Sequence, residues 1–388
     1  MSTEFDLCVV GGGIVGAGIA QAAALNGLST VIIERKGWGS GNTGKSDKLI
    51  NGGLENIYRL QFSHVRERLR ERSALLDIAP DLVHPSWFYL PIFRTGRHNP
   101  YATGLQLTTY DFLGGHGSMP RHHRVPPEEW RKLDGLNQHN LQVVFAFYDA
   151  YTDDVQLTQE VIRSAKYHGA LALCPVNFDG ARRTEDGYRV QVTKGPRTRT
   201  FYCRFIANAT GAWSNDVTVK IAGLNRLPDA HSVKCTYIEF DQKLSSKRFL
   251  LEGPRRDQYI SVMPWRGGTL VGPAQKPFIG NPDRVGPDAE DIDNLTSALR
   301  HHFPHFRYSP SGAWSGLRVQ PLTRKQSMGK DNRLLLLEKS NYLGIYGGQC
   351  TSYRAIAEKA VTGILGVLNK DEPDSLEKPF ISSKSVRI

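Results

Sequence analysis

The stretch FDLCVVGGGIVGAGIAQAAALNGLSTVIIERK, residues 5 to 36, limits the folds open to this chain more than any other. Val9 and Val10 close an apolar run suited to a buried parallel strand. Gly11, Gly13 and Gly16 follow as G-x-G-x-x-G. The first two let the backbone turn tightly against a pyrophosphate, and the third lets a helix close on the strand. That helix opens at Ile14, and Ala17, Gly18, Ala20, Ala22, Ala23 and Ala24 keep it thin. Gly27 is placed to end it, and STVIIE reads as a second strand. Glu34, followed by Arg35, closes that strand where an acid accepts hydrogen bonds from ribose hydroxyls. A lone glycine triplet also fits an ordinary strand–helix turn. Strand, triplet, thin helix, strand and acid in this order mark a dinucleotide site.

A chain of 388 residues exceeds one simple core and is read as two intertwined domains. No apolar run approaches the ~20 residues of a membrane span. The first strand starts close to Met1, so a signal peptide is not expected and the chain is placed in the cytoplasm. The five cysteines are scattered without C-x-x-C spacing, which speaks against a disulfide framework or a metal site. The net charge of +11 concentrates in RLQFSHVRERLRER and between Leu295 and Lys330, a stretch without Asp or Glu. Solvated basic faces are common. Otherwise such charge attracts an anionic substrate or an acidic membrane, by way of the Arg59–Arg72 helix or the segment Arg121 to Arg124. No nucleic-acid motif accompanies it, and nucleic acid is not an expected partner.

Farther along, GWGSGNTGKSDKLINGG reads as a glycine-rich loop entering a helix near Lys48. VQLTQEVIRSAKYHGALAL reads as a helix over Val155 to His168, a stop at Gly169 and a strand. SVKCTYIEF, YISVMPW and GTLVGPA alternate like strands of a separate antiparallel sheet. A last helix is predicted from Thr351 to Leu368, with Ala355, Ile356, Ala360, Ile364 and Leu368 facing inward. The segment IANATGAWSN separates two cofactors. A simple nicotinamide dehydrogenase needs one glycine loop. Here a strand over Phe205 to Asn208 runs into a second turn at Ala209, Thr210 and Gly211, then Trp213. This resembles the A-T-G turn of two-dinucleotide-type flavoproteins, which selects FAD and leaves NAD as the alternative.

At VVGGGIVGAGIA, KSDKLINGGL, YTDDVQLT, ANATGAW, MPW, SGLRVQPL and GGQCTSYRAIAEKA the chain resembles the FAD-dependent glycerol-3-phosphate dehydrogenase and oxidase family. That family sits in the D-amino-acid-oxidase-like flavoprotein group. The resemblance spans roughly residues 5 to 368, with no counterpart expected for the family's C-terminal helical domain. It implies an α/β fold: a Rossmann FAD-binding domain with an interleaved antiparallel-sheet substrate domain. The first takes residues 1–80, 145–218 and 313–370, the second takes 81–144 and 219–312, and 371–388 form a loose tail. It implies hydride transfer from a secondary-alcohol carbon to flavin N5, with reoxidation by quinone or oxygen. Gly11, Gly13, Gly16 and Glu34 are then expected on the ADP half, Val176 on the adenine side, and Thr43, Ser46, Lys48 and Leu49 along the pyrophosphate and flavin. Gly348, Gln349, Thr351 and Ser352 are expected at the pyrimidine edge, where helix N-terminal N–H groups stabilise the charge of reduced flavin. The flavin is expected to be non-covalent, with Cys350 as the one exception to test.

The departures fall on the substrate side. The family's histidine in KLIHGG is Asn51, its arginine in GGLRYL is Glu55, a histidine of the covering sheet is Tyr237, and a lysine after GG is Gln349. GTTD reads GPAQ, Gly272 to Gln275, while the arginine of SGLR persists as Arg318 and Lys330 stands in for a second one. Arg318, Tyr237 and Asn51 are the catalytic candidates, and Glu55, Arg318 and Lys330 the substrate-binding ones. Tyr237 reads equally as a packed strand tyrosine, since a phenol is a poor base near neutral pH. His231 is a reserve base or an ordinary surface histidine. Three functions stay open: a flavin oxidoreductase with a diverged pocket acting on an alcohol or amine, a true glycerol-3-phosphate enzyme, and a non-catalytic flavin-binding scaffold.

Overall fold

Glu4–Val10 lies within a layer of parallel strands because its apolar residues are covered on both faces. The computed structural model describes residues 4–115, 119–227, 230–255, 257–321 and 332–370. Among the described residues the first sheet has eight strands. Glu4–Val10 pairs in parallel with Thr30–Ile33 on one side and with Arg197–Asn208 on the other. Tyr342–Gly347 and Leu171–Leu173 extend the parallel order outward, and an antiparallel hairpin over Asn177–Arg183 and Tyr188–Lys194 folds back on the long strand. The helix Ile14–Leu25 fills the space between this sheet and the helices Asp154–Tyr167 and Tyr353–Leu368. Its thinness is required. A Cβ on Gly18 would stand 2.6 Å from the Tyr353 ring. The residues expected on the inner face of the last helix are all buried, although the helix begins at Tyr353 rather than Thr351.

The second sheet has nine strands among the described residues, in the path Gly312–Pro321, Ala230–Phe240, Gly268–Phe278, Tyr259–Trp265, Arg248–Glu252, Val83–Phe93, Leu141–Thr152 and Leu49–Ile50, with His123–Arg124 at its side. It is antiparallel apart from the pairing of Arg248–Glu252 with Val83–Phe93. The Rossmann-type layer and the interleaved sheet of the expected fold class are both present.

Segments expected in the FAD-binding domain also contribute strands to the second sheet. Leu141–Thr152 and Gly312–Pro321, whose residues fall largely within the expected FAD-binding segments, both lie in the second sheet. No helix starts at Lys48. Leu49 and Ile50 form a short strand against Tyr151 and Ala150, Lys48 has φ +62°, and helix returns only as a turn over Glu55–Tyr58. The basic helix runs over Phe62–Ile78, not Arg59–Arg72, and it does not present all its arginines to solvent. Arg68 and Arg72 share its buried stripe with Val65, Leu69 and Leu75, while Arg66 and Arg70 stay outside. Arg72 is held by Asp149 at 2.7 Å. Lys330 and the segment 371–388 lie outside the described residues.

Candidate active site

One cavity of about 730 Å³ runs from the glycine loop to the second sheet. Its nucleotide end is built from backbone. Gly11 sits at φ +108°, and a Cβ there would meet the Ala209 carbonyl oxygen at 2.7 Å. A Cβ on Gly16 would stand 2.0 Å from the Gly11 oxygen, so only glycine lets the helix close on the loop. Gly13 precedes the helix in extended conformation, and the Ile14 N–H donates to Thr43 Oγ1 at 3.1 Å. Glu34 accepts from the Gly12 N–H at 2.8 Å and the Lys36 N–H at 2.7 Å. Each carboxylate oxygen keeps a lone pair for further donors. The Val176 N–H donates to the Glu34 carbonyl at 2.8 Å, which brings Val176 to the same rim. Arg35 stacks over Trp213 at 4.7 Å and pairs with Asp283 at 2.7 Å, in front of Ala209, Thr210 and Gly211.

Midway, Ser46 and Leu49 line the cavity and Lys48 does not. The Lys48 ammonium is buried, 2.8 Å from Asp154 and 2.8 Å from the Gly44 carbonyl, and it lies over the Trp265 ring. Its place on the flavin is thereby corrected: Lys48 clamps the loop to the N-terminus of the helix Asp154–Tyr167, and Ser46 joins the clamp by donating to Asp154 at 2.7 Å. Across from it, Gly347 and Gly348 have φ of +71° and +98°. They swing Gln349 and Cys350 into the cavity ahead of the last helix. Thr351 and Ser352 stand behind this wall. Thr351 Oγ1 accepts from the Asn51 N–H at 3.2 Å, and Ser352 Oγ accepts from the Gln349 N–H at 3.3 Å. Burial pushes the Cys350 thiol far up, so it stays neutral.

The second end is built from side chains. Arg68 enters from the helix Phe62–Ile78 and donates to Asn51 Oδ1 at 2.5 Å and Gln349 Oε1 at 3.0 Å, with Glu55 at 3.7 Å. Of three positions where the resemblance has cations or histidine, two accept here from one guanidinium and the third, Glu55, pairs with it. Arg318 enters from the opposite wall on Gly312–Pro321 and donates to Gln275 Oε1 at 3.0 Å. Tyr237 lines the cavity beside it, stacked on Trp314 at 6.1 Å. Burial, then the Asp47 charge, pushes its hydroxyl well up and keeps it neutral. His231 is exposed and lies outside the cavity wall.

Sequence reasoning missed two residues here, Arg68 and Asp47. Arg68 had a signal: it falls on the face of Val65, Leu69 and Leu75, where an unpartnered arginine would not be buried. Asp47 had none, since its exposure to the cavity depends on the turn at Lys48.

A strand–glycine–helix cradle with a second glycine turn beneath it, open toward a sheet that carries polar side chains, defines a flavin-dependent oxidoreductase. Residues 6–350 match the family described as FAD dependent oxidoreductase, and the chain belongs to that family. FAD is its cofactor, and it is an enzyme of the dehydrogenase and oxidase kind. It is 27% identical over 398 residues to a glycerol-3-phosphate dehydrogenase of Synechocystis sp., covering 96% of this chain and 72% of that one. It is 30% identical over 375 residues to the D-erythritol 1-phosphate dehydrogenase of Brucella abortus, covering 92% and 72%. Its fold is similar to that of the glycerol-3-phosphate dehydrogenase of Bacillus halodurans solved with FAD, at TM-score 0.76 and 23% identity over 97% of this chain and 67% of that one.

The residues present fit FAD. The cradle leaves no room for a Cβ at Gly11 or Gly16, and Glu34 keeps acceptor capacity at the nucleotide end.

Proposed function

We propose that this enzyme oxidises a secondary alcohol or amine carbon in a small substrate carrying one singly charged anionic group. The observation that carries the reading is the charge balance at the second end of the cavity. Among the described residues, Arg59 is neutralised by Asp257 at 2.7 Å and Asp149 by Arg72, and Arg68 and Arg318 face the cavity with Glu55 and Asp47. A unit charge ~5 Å from another is worth roughly 3 kcal/mol at an effective dielectric near 20. Two guanidinium groups offset by two carboxyl groups therefore suit a monoanion better than a phosphate dianion. When bound, FAD supplies the hydride acceptor. Gly11, Gly13, Gly16, Ile14, Glu34, Arg35, Thr43, Val176, Ala209, Thr210, Gly211 and Trp213 hold its nucleotide half. Ser46, Leu49, Gly348 and Gln349 hold its ring system, with Thr351 and Ser352 as support. The neutral Cys350 thiol fits a non-covalent flavin. Arg68 and Arg318 bind the anionic group, Glu55 accepts from substrate hydroxyl or ammonium donors, and Tyr237 donates from the sheet.

The test is anaerobic bleaching of the flavin absorbance with glycerol 3-phosphate, D-erythritol 1-phosphate, 2-hydroxy acids and amino alcohols. Bleaching by a 2-hydroxy acid or amino alcohol at lower concentration than by either phosphate supports the reading. A micromolar Michaelis constant for glycerol 3-phosphate sinks it. The second reading, a polyol-phosphate dehydrogenase, is favoured by the two relatives named above and predicts that outcome. In both readings the electron acceptor is quinone or oxygen.

Peripheral association with acidic membranes has its own support. No helix among the described residues is long and apolar enough to cross a membrane. Leu60, Phe62, Tyr101, Leu105 and Phe112 are exposed, the last three along one side of the helix Pro100–Gly114, and Arg66 and Arg70 lie on the neighbouring helix. Sedimentation with anionic liposomes at low salt checks it, and no binding there overturns it.

A further inference from the structure

We propose that the Asp47 carboxylate is the catalytic base that takes the proton from the substrate's hydroxyl or amine as its carbon is oxidised. This rests on the functional reading above and names the group that reading lacks. Breaking a C–H bond by hydride loss leaves the neighbouring O–H or N–H acidic, and the proton needs an acceptor inside the closed site. The two histidines of the resemblance are replaced by groups that cannot serve. Asn51 is not basic, and its Oδ1 already accepts from Arg68 at 2.5 Å and from the Gly53 N–H at 3.1 Å. Tyr237 is held neutral far above its usual range. No histidine among the described residues lines the cavity.

The carboxyl groups at this end divide sharply. Asp149 is bound by Arg72 at 2.7 Å and by the Tyr110 hydroxyl at 2.8 Å. Asp257 is bound by Arg59, and Glu55 stands in the field of Arg68 at 3.7 Å. Asp47 accepts one hydrogen bond, from the Leu49 N–H at 3.3 Å, and forms no ion pair among the described residues. Its loop is pinned on both sides, by the Lys48–Asp154 clamp and by the Asn51 N–H on Thr351, so the carboxyl is held at the cavity wall. The groups facing it are the Arg68 and Arg318 guanidinium groups, the Glu55 carboxyl, the Tyr237 hydroxyl and the Cys235 and Cys350 thiols. Burial raises the Asp47 carboxyl above its ordinary value and Glu55 adds to this, while the two arginines pull it down. The net shift is upward, toward the range where a carboxylate both stays ionised and accepts a proton well.

In the step itself the substrate O–H or N–H breaks and its proton goes to Asp47. When bound, FAD would accept the C–H hydrogen with its electron pair as C=O or C=N forms, so that two electrons and two hydrogens balance, the hydride on the cofactor and the proton on Asp47. Asp47 stands in the field of both guanidinium groups, so an anion that they bind also feels its charge.

Two measurements on FAD-loaded protein test this. With the substrate that bleaches the flavin, Asp47→Asn is expected to slow flavin reduction roughly 10²–10⁴-fold, while apparent affinity for the anionic substrate rises by up to about tenfold because the Asp47 charge is gone. The acidic limb of the rate profile should vanish, and Asp47→Glu should recover part of the rate. The second measurement needs no substrate. Sulfate keeps its charge between about pH 5 and 8, so its affinity, read from the flavin spectrum, should rise about tenfold as Asp47 protonates, and stay flat in Asp47→Asn. Reduction in Asp47→Asn within threefold of the unaltered enzyme, or the same sulfate profile in both, overturns the proposal. If no alcohol or amine bleaches the flavin, the functional reading fails, and the sulfate profile still decides whether Asp47 titrates toward a bound anion.

Discussion

The two ends of the cavity are held by different kinds of group. At the nucleotide end the contacts are mainly backbone N–H groups, glycines without Cβ and one strand-end carboxylate, brought together by the parallel strands that end at Val10, Ile33 and Asn208. At the second end the polar groups that face the cavity are side chains, and their partners come from far apart in sequence: Arg68 with Gln349, Arg318 with Gln275. Backbone geometry tolerates almost no substitution. Side-chain geometry allows a guanidinium to enter from a different helix while its former place becomes an acceptor. A fold can thus keep its cofactor while its substrate changes.

The sharpest way to break this contrast is at the backbone end. Gly16→Val drives a side chain into the Gly11 carbonyl and should abolish flavin retention, an effect of more than about 4 kcal/mol, read as loss of the flavin absorbance of purified protein. Next comes the clamp that joins the ends. Lys48→Met leaves Asp154 buried without its cation and should cost roughly 3–5 kcal/mol in thermal unfolding.

Acid should weaken the side-chain end through the helix Ala289–His302, which packs on the second sheet. Burial lowers the His302 pKa to about 4. The ring stays neutral in the folded state while the unfolded chain takes a proton below about 6.5, so stability is full above that value. It falls as pH drops from about 6.5 to about 4, by up to roughly 3 kcal/mol, and His302→Gln should flatten the slope in melting curves.

Smaller changes sharpen the contrast without unfolding anything. Arg68→Met should reduce kcat/KM for the active substrate roughly 10²-fold, with the flavin content kept. Glu55→Arg should improve glycerol 3-phosphate about tenfold, by exchanging a like charge for an opposite one, measured as the concentration needed to bleach the flavin.

The contrast also governs what could be read before the structure. The glycine loop, the thin helix, Glu34 and the turn after Asn208 were legible because local spacing alone encodes them. The second end was legible only as a set of departures. Glu55 and Gln349 read as lost charge, and the guanidinium that stands beside both is Arg68, in a helix read as a basic surface. The matching position in the family motif puts Lys48 along the flavin, yet a left-handed turn at that residue sends its side chain to Asp154. A one-dimensional pattern does not encode the direction of a side chain at such a turn.

Arg68 has one more consequence. Its two acceptors, Asn51 and Gln349, sit on separate segments that converge on the same stretch of the cavity, so the guanidinium is a tie-rod between them. An anion that draws on this guanidinium must change how firmly those segments are braced. Thermodynamic reciprocity then requires that whatever factor the flavin adds to anion affinity, the anion adds to flavin retention. The substrate of this enzyme would, in that sense, help to keep its own coenzyme in place.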